Sequence, residues 1–261
     1  MRGGEYNIFI INEQYADVPA QTGDTEQSPT PIISIENLDN YIHDNKVSVK
    51  DLYLQISSMG NEKPDIVEGN DLPDFNPDDE YLQEIKSPIF YAVQKNINIQ
   101  TGQPTILDFD MQRISQRINI VFNIRTEGNI KREDLAAPII ELSGACGRFN
   151  IADACLDTTR LYRMAHQVQP DEFTQTGEGT YRCVVHFHTL GVIPSAAKGH
   201  LNGPGILQVA LQVSTPQLDS SGAPVVDEEG NPVKNSRYIY GAINPYDELT
   251  AAQLIEVRDG K

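Results

Sequence analysis

Alternation of apolar and polar residues over nine positions, interrupted only at Val121, is the feature that most restricts the fold of this chain. In segment 117–125, Ile118, Ile120, Phe122 and Ile124 take every second position. Successive side chains of a β-strand point to opposite faces, so these four residues share one face. The pattern predicts an antiparallel strand that buries this face and leaves the other in solvent.

The same alternation recurs elsewhere, whereas helical periodicity is short wherever it occurs. Strand-like alternation marks residues 51–57, 181–188 and 206–213. Helix-like spacing is limited to residues 35–43, 132–136 and 247–256. Parallel strands need long helical crossovers, which segments of this length do not supply. The sequence therefore predicts an all-β fold of antiparallel β-sandwiches with short capping helices.

Two clusters of turn-forming residues near the C-terminus predict an extended hairpin. They are Asp219-Ser220-Ser221-Gly222 and Glu228-Glu229-Gly230-Asn231-Pro232, and they flank Val225 and Val226. Gly, Pro, Asn, Asp and Ser favour tight turns, because each lowers the cost of a turn conformation in its own way.

The length of the chain allows two β domains. It has 261 residues, and a β-sandwich commonly uses about 100 to 150, so two cores are expected. A division fits best near Ser87-Pro88, between the acidic stretch 68–80 and the apolar segment 89–93. We therefore expect an N-terminal β-sandwich domain over residues 1–87 and a C-terminal one over residues 88–261.

A formal net charge of −17 restricts the partners of the chain. No run of Lys or Arg is longer than Lys131-Arg132. Most of the surface would repel a polyanion, so nucleic acid and anionic lipid are poor candidate partners. No stretch approaches the roughly 20 apolar residues that cross a bilayer.

Three groups of segments, in this order, carry a resemblance to a known family. Segment 4–12 has the pattern Gly, one residue, Tyr, a hydrophobic strand and a final Asn. Segment 117–125 is followed by segment 136–145, which closes in a Ser-Gly-hydrophobic step. Segment 187–191 is similar to a Phe-x-Thr-Phe-Gly turn, with Leu190 in place of the second Phe. Together with the strand at 207–213, these segments resemble the fimbrillin-like lipoproteins of Bacteroidales.

The resemblance implies a fold, a location and partners. It implies two transthyretin-like β-sandwiches, exported as a lipoprotein to the outer membrane and displayed at the cell surface. The protein would be a fimbrial subunit, tip or anchor component that joins other fimbrial subunits by β-strand addition. Glycan or a host surface protein is a further candidate partner. Family members place a lipidated Cys and at least one more strand before the Gly-x-Tyr strand. Neither is present in this sequence. The resemblance therefore implies an N-terminal domain without its first strand and without its lipid anchor.

A sandwich that lacks one strand exposes backbone N–H and C=O groups and an apolar strip, which a strand from another chain can fill. Tyr6, Ile8 and Ile10 on one face, or Phe9 and Ile11 on the other, would line such a groove. The alternative at this edge is that the flanking domain or a loop covers it.

We expect a structural or adhesive surface protein. The alternative is a monomeric surface module that binds glycan or protein and does not polymerise.

Metal-ligating residue types occur, but not in a pattern that predicts a metal site. His186 and His188 are two apart on a predicted strand, so they share one face, while Cys183 points to the other. Two ligands do not make a site, and we expect surface histidines. Segment 71–80 concentrates carboxylates, but it lacks the spacing and the Gly of a calcium loop and is expected to be a solvated acidic loop.

The three cysteines leave two readings open. Cys146, Cys155 and Cys183 have no C-x-x-C spacing, so a zinc site is unsupported. They are either three buried thiols or one disulfide and one thiol, with Cys146–Cys155 the easiest pair to close.

No catalytic motif stands out, and we expect neither enzymatic activity nor a cofactor. There is no Gly-x-Ser-x-Gly and no phosphate-binding loop, and the absence of Trp argues against a sugar-stacking glycosidase site. The Gly-rich segment 199–205 is interpreted as a hairpin loop. Lys198, His200 and Asn202 form a candidate binding loop at one end of the C-terminal sandwich.

Overall fold

β-Strands make up nearly all of the regular structure. The computed structural model describes residues 3–12, 31–43, 47–60, 79–128 and 130–252. The first strands are β1 (Gly4–Ile11), β2 (Ile33–Glu36), β3 (Tyr53–Ile56), β4 (Glu80–Tyr81) and β5 (Phe90–Ile99). The next are β6 (Gln112–Arg113), β7 (Gln116–Arg125), β8 (Ile139–Asn150), β9 (Cys155–Gln167) and β10 (Phe173–Gly177). The last are β11 (Thr180–Thr189), β12 (Gly191–Val192), β13 (Leu207–Pro216) and β14 (Lys234–Ile243).

The described strands form three sheets. The largest has eight strands and contains the path β14-β13-β8-β3-β2, with β12 and β9 also paired to β8 and β4 paired to β9. The other two have three strands each, in the orders β1-β5-β6 and β10-β11-β7. Every pair is antiparallel except β4 with β9. The predicted all-β antiparallel fold is confirmed.

The predicted faces of the strands are also confirmed. In β7, Ile120 is buried and Ile118, Phe122 and Ile124 are half-buried, while the residues between them are exposed. In β11 every second residue from Tyr181 is buried. Leu52, Leu54 and Ile56, around β3, are at most 4% exposed. Alternation therefore fixed the inward face of each of these strands, because a shift by one residue would turn every apolar side chain outward.

Helices are few and short, as expected. The two described α-helices, α1 (Leu38–His43) and α2 (Tyr246–Ala251), have six residues each. Residues Arg132–Asp134 form a 3-10 turn where a short helix was predicted, and Val49–Asp51 form another. α2 buries Leu249 against the main core. Neither α-helix has the length or the apolar character of a membrane span.

Strand β8 is the centre of the large sheet. Eleven of its twelve residues are buried, and β3, β9, β12 and β13 all pair with it. Its Gly144 has a φ of +78°, and a Cβ there would lie 2.6 Å from the backbone N of Gly205. Ser143 donates a hydrogen bond from its hydroxyl to the carbonyl of Gly203. The Ser-Gly step noted in the sequence is thus the point where the segment before β13 meets β8.

Hydrogen bonds and core contacts cross the predicted boundary at residue 87. β1 pairs with β5, and β3 pairs with β8. One apolar cluster contains Leu54 and Leu82 from before the boundary together with Phe149 and Phe187 from after it. The division into domains 1–87 and 88–261 stays a prediction.

A charged network lies inside the large sheet. Arg163 on β9 is 1% exposed and lies 3.7 Å from the carboxylate of Glu141 on β8. Its Nε and Nη2 donate to the carbonyl of Asp79 at 3.0 and 2.8 Å, and its guanidinium lies 4.3 Å from the ring centre of Tyr81. Tyr81 donates to Glu141 at 2.8 Å. These contacts hold β4 against β8 and β9.

A small branched tip continues the ladder of β13 and β14. Residues 219–226 and 227–234 share the pattern Asp-x-x-Gly-x-Pro-Val, and each Gly has a positive φ. In each unit the Asp Oδ1 accepts hydrogen bonds from backbone N–H groups two and four residues later. Three backbone hydrogen bonds of 2.7 to 2.8 Å form a ring at the base of the tip. The N–H of Gln217 donates to the carbonyl of Val233, that of Val233 to the carbonyl of Val225, and that of Val225 to the carbonyl of Gln217. The predicted turns are present, and they prove to be two copies of one eight-residue unit.

Candidate functional site

Strand β1, the predicted site of strand exchange, lies at the end of its sheet. Among the described strands it is hydrogen-bonded to β5 alone. Tyr6 and Ile8 are half-buried, Ile10 is 36% exposed, and Phe9 and Ile11 pack against the edge of the main core. The five residues thus occupy a terminal strand, and their role as a docking groove stays a prediction.

An apolar groove lies at the edge of β7, where the sequence did not predict one. Its volume is about 670 Å³. β7 forms one wall, and the end of β14 with helix α2 forms the other. Polar residues at its rim are Arg117, Asn119, Asn244 and Glu248, and its apolar lining includes Ile118, Val121, Leu142, Leu207, Ile243 and Leu249. Four of these, at positions 118, 142, 207 and 249, also belong to the main apolar cluster.

Two terminal strands border this groove. Among the described strands, β7 is hydrogen-bonded to β11 alone and β14 to β13 alone. A terminal strand presents backbone N–H and C=O groups along its outer edge, and these can pair with another extended chain. The groove therefore combines an apolar floor with backbone edges, which is the chemistry of a site for an added strand.

Strand β14 exposes apolar side chains on both faces. Ile239 is 47% exposed and Ile243 57%. On the opposite face the rings of Tyr238 and Tyr240 stack with their centres 6.1 Å apart. Large exposed apolar residues on a terminal strand are unusual in a protein that stays alone in solution. The run Tyr-Ile-Tyr-Gly-Ala-Ile, apolar at nearly every position, was the sequence signal for this strand.

The predicted binding loop is fastened to helix α2. Lys198 forms an exposed ion pair with Asp247 at 2.6 Å. The carbonyl of His200 accepts a hydrogen bond from the side chain of Asn244 at 2.9 Å. Asn202 is exposed. These contacts place the loop beside the groove wall, and binding by its three predicted residues stays a prediction.

The paired histidines of β11 lie on one face, as predicted, with Cys183 on the other. Their neighbour is a polar cavity of about 670 Å³ that also contains His166. In the described ranges, no three His, Cys, Asp or Glu side chains come together in an arrangement that could hold a metal ion.

His166 is held between two carboxylates. Its Nδ1 lies 3.2 Å from Glu84 and its Nε2 lies 2.7 Å from Glu172. Burial disfavours the imidazolium, but the hydrogen bonds to Glu84 and Glu172 outweigh it and raise the pKa of His166 to about 9. A charged His166 therefore joins β9 to the segment after β4 and to the turn before β10 at neutral pH.

None of the three cysteines forms a disulfide. Cys146 and Cys183 are buried, and burial raises the pKa of both thiols to about 12. The reading with three thiols is confirmed, except that Cys155 is exposed rather than buried. The acidic segment 71–80 lies outside the described residues, apart from its last two positions.

Comparison with known proteins gives one structural similarity. No family model matches the sequence, and no curated protein matches it significantly. The fold is similar to the crystal structure of a candidate adhesin from Bacteroides ovatus, with a TM-score of 0.44 and 8% sequence identity. The similarity covers 95% of this chain and 68% of the other. A similarity of this size supports no conclusion about function, and the resemblance to fimbrillin-like proteins stays a prediction.

Proposed function

We propose that this protein is a structural and adhesive subunit of a surface fibre, without enzymatic activity, which joins its neighbours by β-strand addition. The observation that carries the proposal is the apolar groove between β7 and the end of β14, bordered by two terminal strands. Export as a lipoprotein of the outer membrane belongs to the same proposal and is supported by the sequence resemblance alone.

An added strand would make two kinds of contact in this groove, backbone hydrogen bonds and apolar side-chain contacts. Its backbone would pair with the outer edge of β7, which has ten residues. Every second side chain would point onto Leu142, Leu207 and Leu249, so the donor needs apolar residues at alternate positions. The main core would then extend through the groove into the incoming strand. Another fibre subunit is the proposed donor, and β1 provides a second terminal strand for the next contact in the fibre.

A charge in the groove tests this proposal. Ile243 lines the groove and is 57% exposed, so Ile243→Glu should leave the monomer folded while it blocks an apolar strand. Leu218 is 59% exposed and is not among the groove residues, which makes Leu218→Glu a matched control. We expect concentrated wild-type protein and Leu218→Glu to form fibres or strand-exchanged oligomers, measured by light scattering and electron microscopy, and Ile243→Glu to remain monomeric.

A peptide copy of residues 4–11 provides a second measurement. Its apolar residues should fill the groove and raise the melting temperature of the wild type but not of Ile243→Glu. A wild-type protein that is monomeric at every concentration, and whose melting temperature the peptide does not change, would refute strand addition. That result would favour the monomeric module that binds glycan or protein.

A further inference from the structure

One face of this acidic protein carries positive charges and no carboxylates. It is the outer face of the sheet β10-β11-β7, formed by the odd-numbered residues 117–125 of β7 and the even-numbered residues 180–188 of β11. We call it the basic face. The three strands contain Arg117, Arg125 and Arg182, yet none of the 37 Asp and Glu residues of the chain. Such a distribution in a chain of net charge −17 makes this face distinct from the rest of the surface.

The arginines of the basic face are not used for internal ion pairs. Arg117, Arg125 and Arg182 are all exposed. None of them takes part in an ion pair within the described part of the chain. Elsewhere Arg148, Arg160 and Arg163 each contact a carboxylate. The charges of the basic face are therefore available to an external anion.

The register places hydrogen-bonding groups between the charges. Arg117 lies opposite His188, Asn119 opposite His186, and Asn123 opposite Arg182. His186 Nδ1 and Asn119 Oδ1 are 2.7 Å apart, so these two side chains hold each other in place. Arg117 and Arg125 are eight residues apart on one strand, which corresponds to about 27 Å. The face thus presents separated cations with amides and imidazoles between them, spread over the length of a short polymer segment.

The polar cavity lies at one end of the basic face. Arg117, His186 and His188 line it together with the exposed Lys86. Its two carboxylates, Glu84 and Glu172, are both hydrogen-bonded to His166. The ion pairs with His166 neutralise part of their charge, and Arg117 of β7 and Lys86 add positive charge to the same cavity.

His188 lies beside Arg113 and Arg117, in the same positive part of the surface. Burial lowers its pKa, and the positive charges of Arg113, Arg117 and His186 lower it further, against a hydrogen bond to the backbone of Ser87. Within the described residues, the buried Nδ1 of His188 has no hydrogen-bond partner. An anion bound beside it would favour the charged form of His188.

We propose that the basic face binds an acidic polysaccharide, a linear glycan that carries sulfate or carboxylate groups. Arg117, Arg125 and Arg182 contact the anionic groups, and the Asn and His side chains between them bond to sugar hydroxyls. The acidic remainder of the surface confines the polymer to this face. A protein partner is disfavoured, because the face has only Val121 and Val184 at its centre and lacks the aromatic or aliphatic anchors of a protein interface. This binding does not depend on strand addition.

The test measures binding of heparin, which is sulfated, polygalacturonate, which carries carboxylates only, and neutral dextran. The variant is the triple replacement of Arg117, Arg125 and Arg182 by Gln. The matched control replaces Lys50, Lys95 and Arg237 by Gln, three exposed cations outside this sheet that form no ion pair within the described residues. We expect heparin to bind wild type and control at low salt, less tightly as salt rises, and the triple variant to bind at least about tenfold more weakly.

The remaining outcomes are decisive. Binding of polygalacturonate together with heparin supports the proposal and shows that carboxylates suffice, whereas binding of heparin alone supports it and identifies sulfate. The proposal is overturned if heparin does not bind at low salt, if the control loses as much affinity as the triple variant, or if dextran binds equally. It is also overturned if single-stranded DNA binds this face more tightly than either glycan. Arg117 also lines the groove, so the two proposals are separated with the double variant Arg125→Gln/Arg182→Gln, which changes no groove residue. This variant should bind heparin more weakly and still form the strand-exchanged oligomers of the wild type.

Discussion

Arginine serves opposite purposes in two regions of this molecule. Inside the large sheet, Arg163 is 1% exposed and is surrounded by Glu141, Asp79 and Tyr81. On the basic face, the arginines of β7 and β11 are exposed and have no carboxylate partner in the described chain. The buried charge must be satisfied within the protein, because an isolated ion in the interior is very costly. The exposed charges cost the fold little and remain available for binding.

The largest expected effect comes from the buried region. Arg163→Met leaves Glu141 buried without its cation, so the free energy of unfolding should fall by about 3 to 5 kcal/mol, measured by urea denaturation. Replacing Glu141 by Leu in the same protein should recover part of this loss, since a buried pair can often be exchanged for apolar side chains. A loss below about 1 kcal/mol for Arg163→Met would show that the network is not a structural requirement.

The pH dependence of stability sharpens the comparison with His166, a second buried cation and one that can lose its charge. The pKa of His166 is about 9 in the folded protein, against an ordinary value of 6.5. A raised folded pKa gives stability that is complete below pH 6.5 and is lost as the pH rises through about 9. We expect wild type to lose of the order of 2 kcal/mol relative to His166→Gln over this range. An unchanged difference between the two proteins from pH 6 to pH 10 would contradict the assignment.

Arg148 lies between the two extremes. Its side chain is 18% exposed, contacts Asp157 and Glu36, and lies 4.3 Å from the ring centre of Tyr53. Because solvent can partly replace these contacts, Arg148→Met should cost about 1 to 2 kcal/mol in urea denaturation. A cost equal to that of Arg163→Met would break the proposed relation between burial and stability.

The smallest effect is expected on the basic face. Replacing Arg117, Arg125 and Arg182 by Gln should change the free energy of unfolding by less than about 0.5 kcal/mol per residue. The repulsion among the cations would be relieved, so a slight stabilisation is consistent with the comparison. A large destabilisation would mean that these arginines are structural after all, and heparin binding would then have to be judged on single variants.

Local patterns of the sequence predicted the strands well and their partners poorly. Alternation in 117–125 and 181–188 identified two strands and their inward faces, since each depends on residues within one segment. The groove could not be predicted, because it depends on which strands end their sheets, and β7 pairs with a strand more than fifty residues away. The sequence analysis predicted strand exchange at β1, on the basis of the family resemblance. It missed β14, because a strand with apolar residues on both faces shows no alternation.

The same limit applies to charge. Arg163 and Arg182 look alike in the sequence, each in a strand of mixed polarity, and only the sheet packing separates a buried cation from an exposed one. The acid-free strands could have been noticed from composition, since neither 116–125 nor 180–189 contains Asp or Glu. The pairing of these two strands could not be predicted from composition, because it depends on the sheet register between segments that are far apart in the sequence.

The ring of hydrogen bonds at the end of β13 and β14 makes the length of this tip adjustable in whole steps. The N–H of Val225 donates to Gln217, and the N–H of Gln217 donates to Val233. If one eight-residue unit were lost, residues 217 and 233 could exchange both bonds and close an ordinary hairpin, with the register of the two long strands preserved. Gain or loss of a whole eight-residue unit at this tip is therefore compatible with an unchanged pairing of β13 with β14.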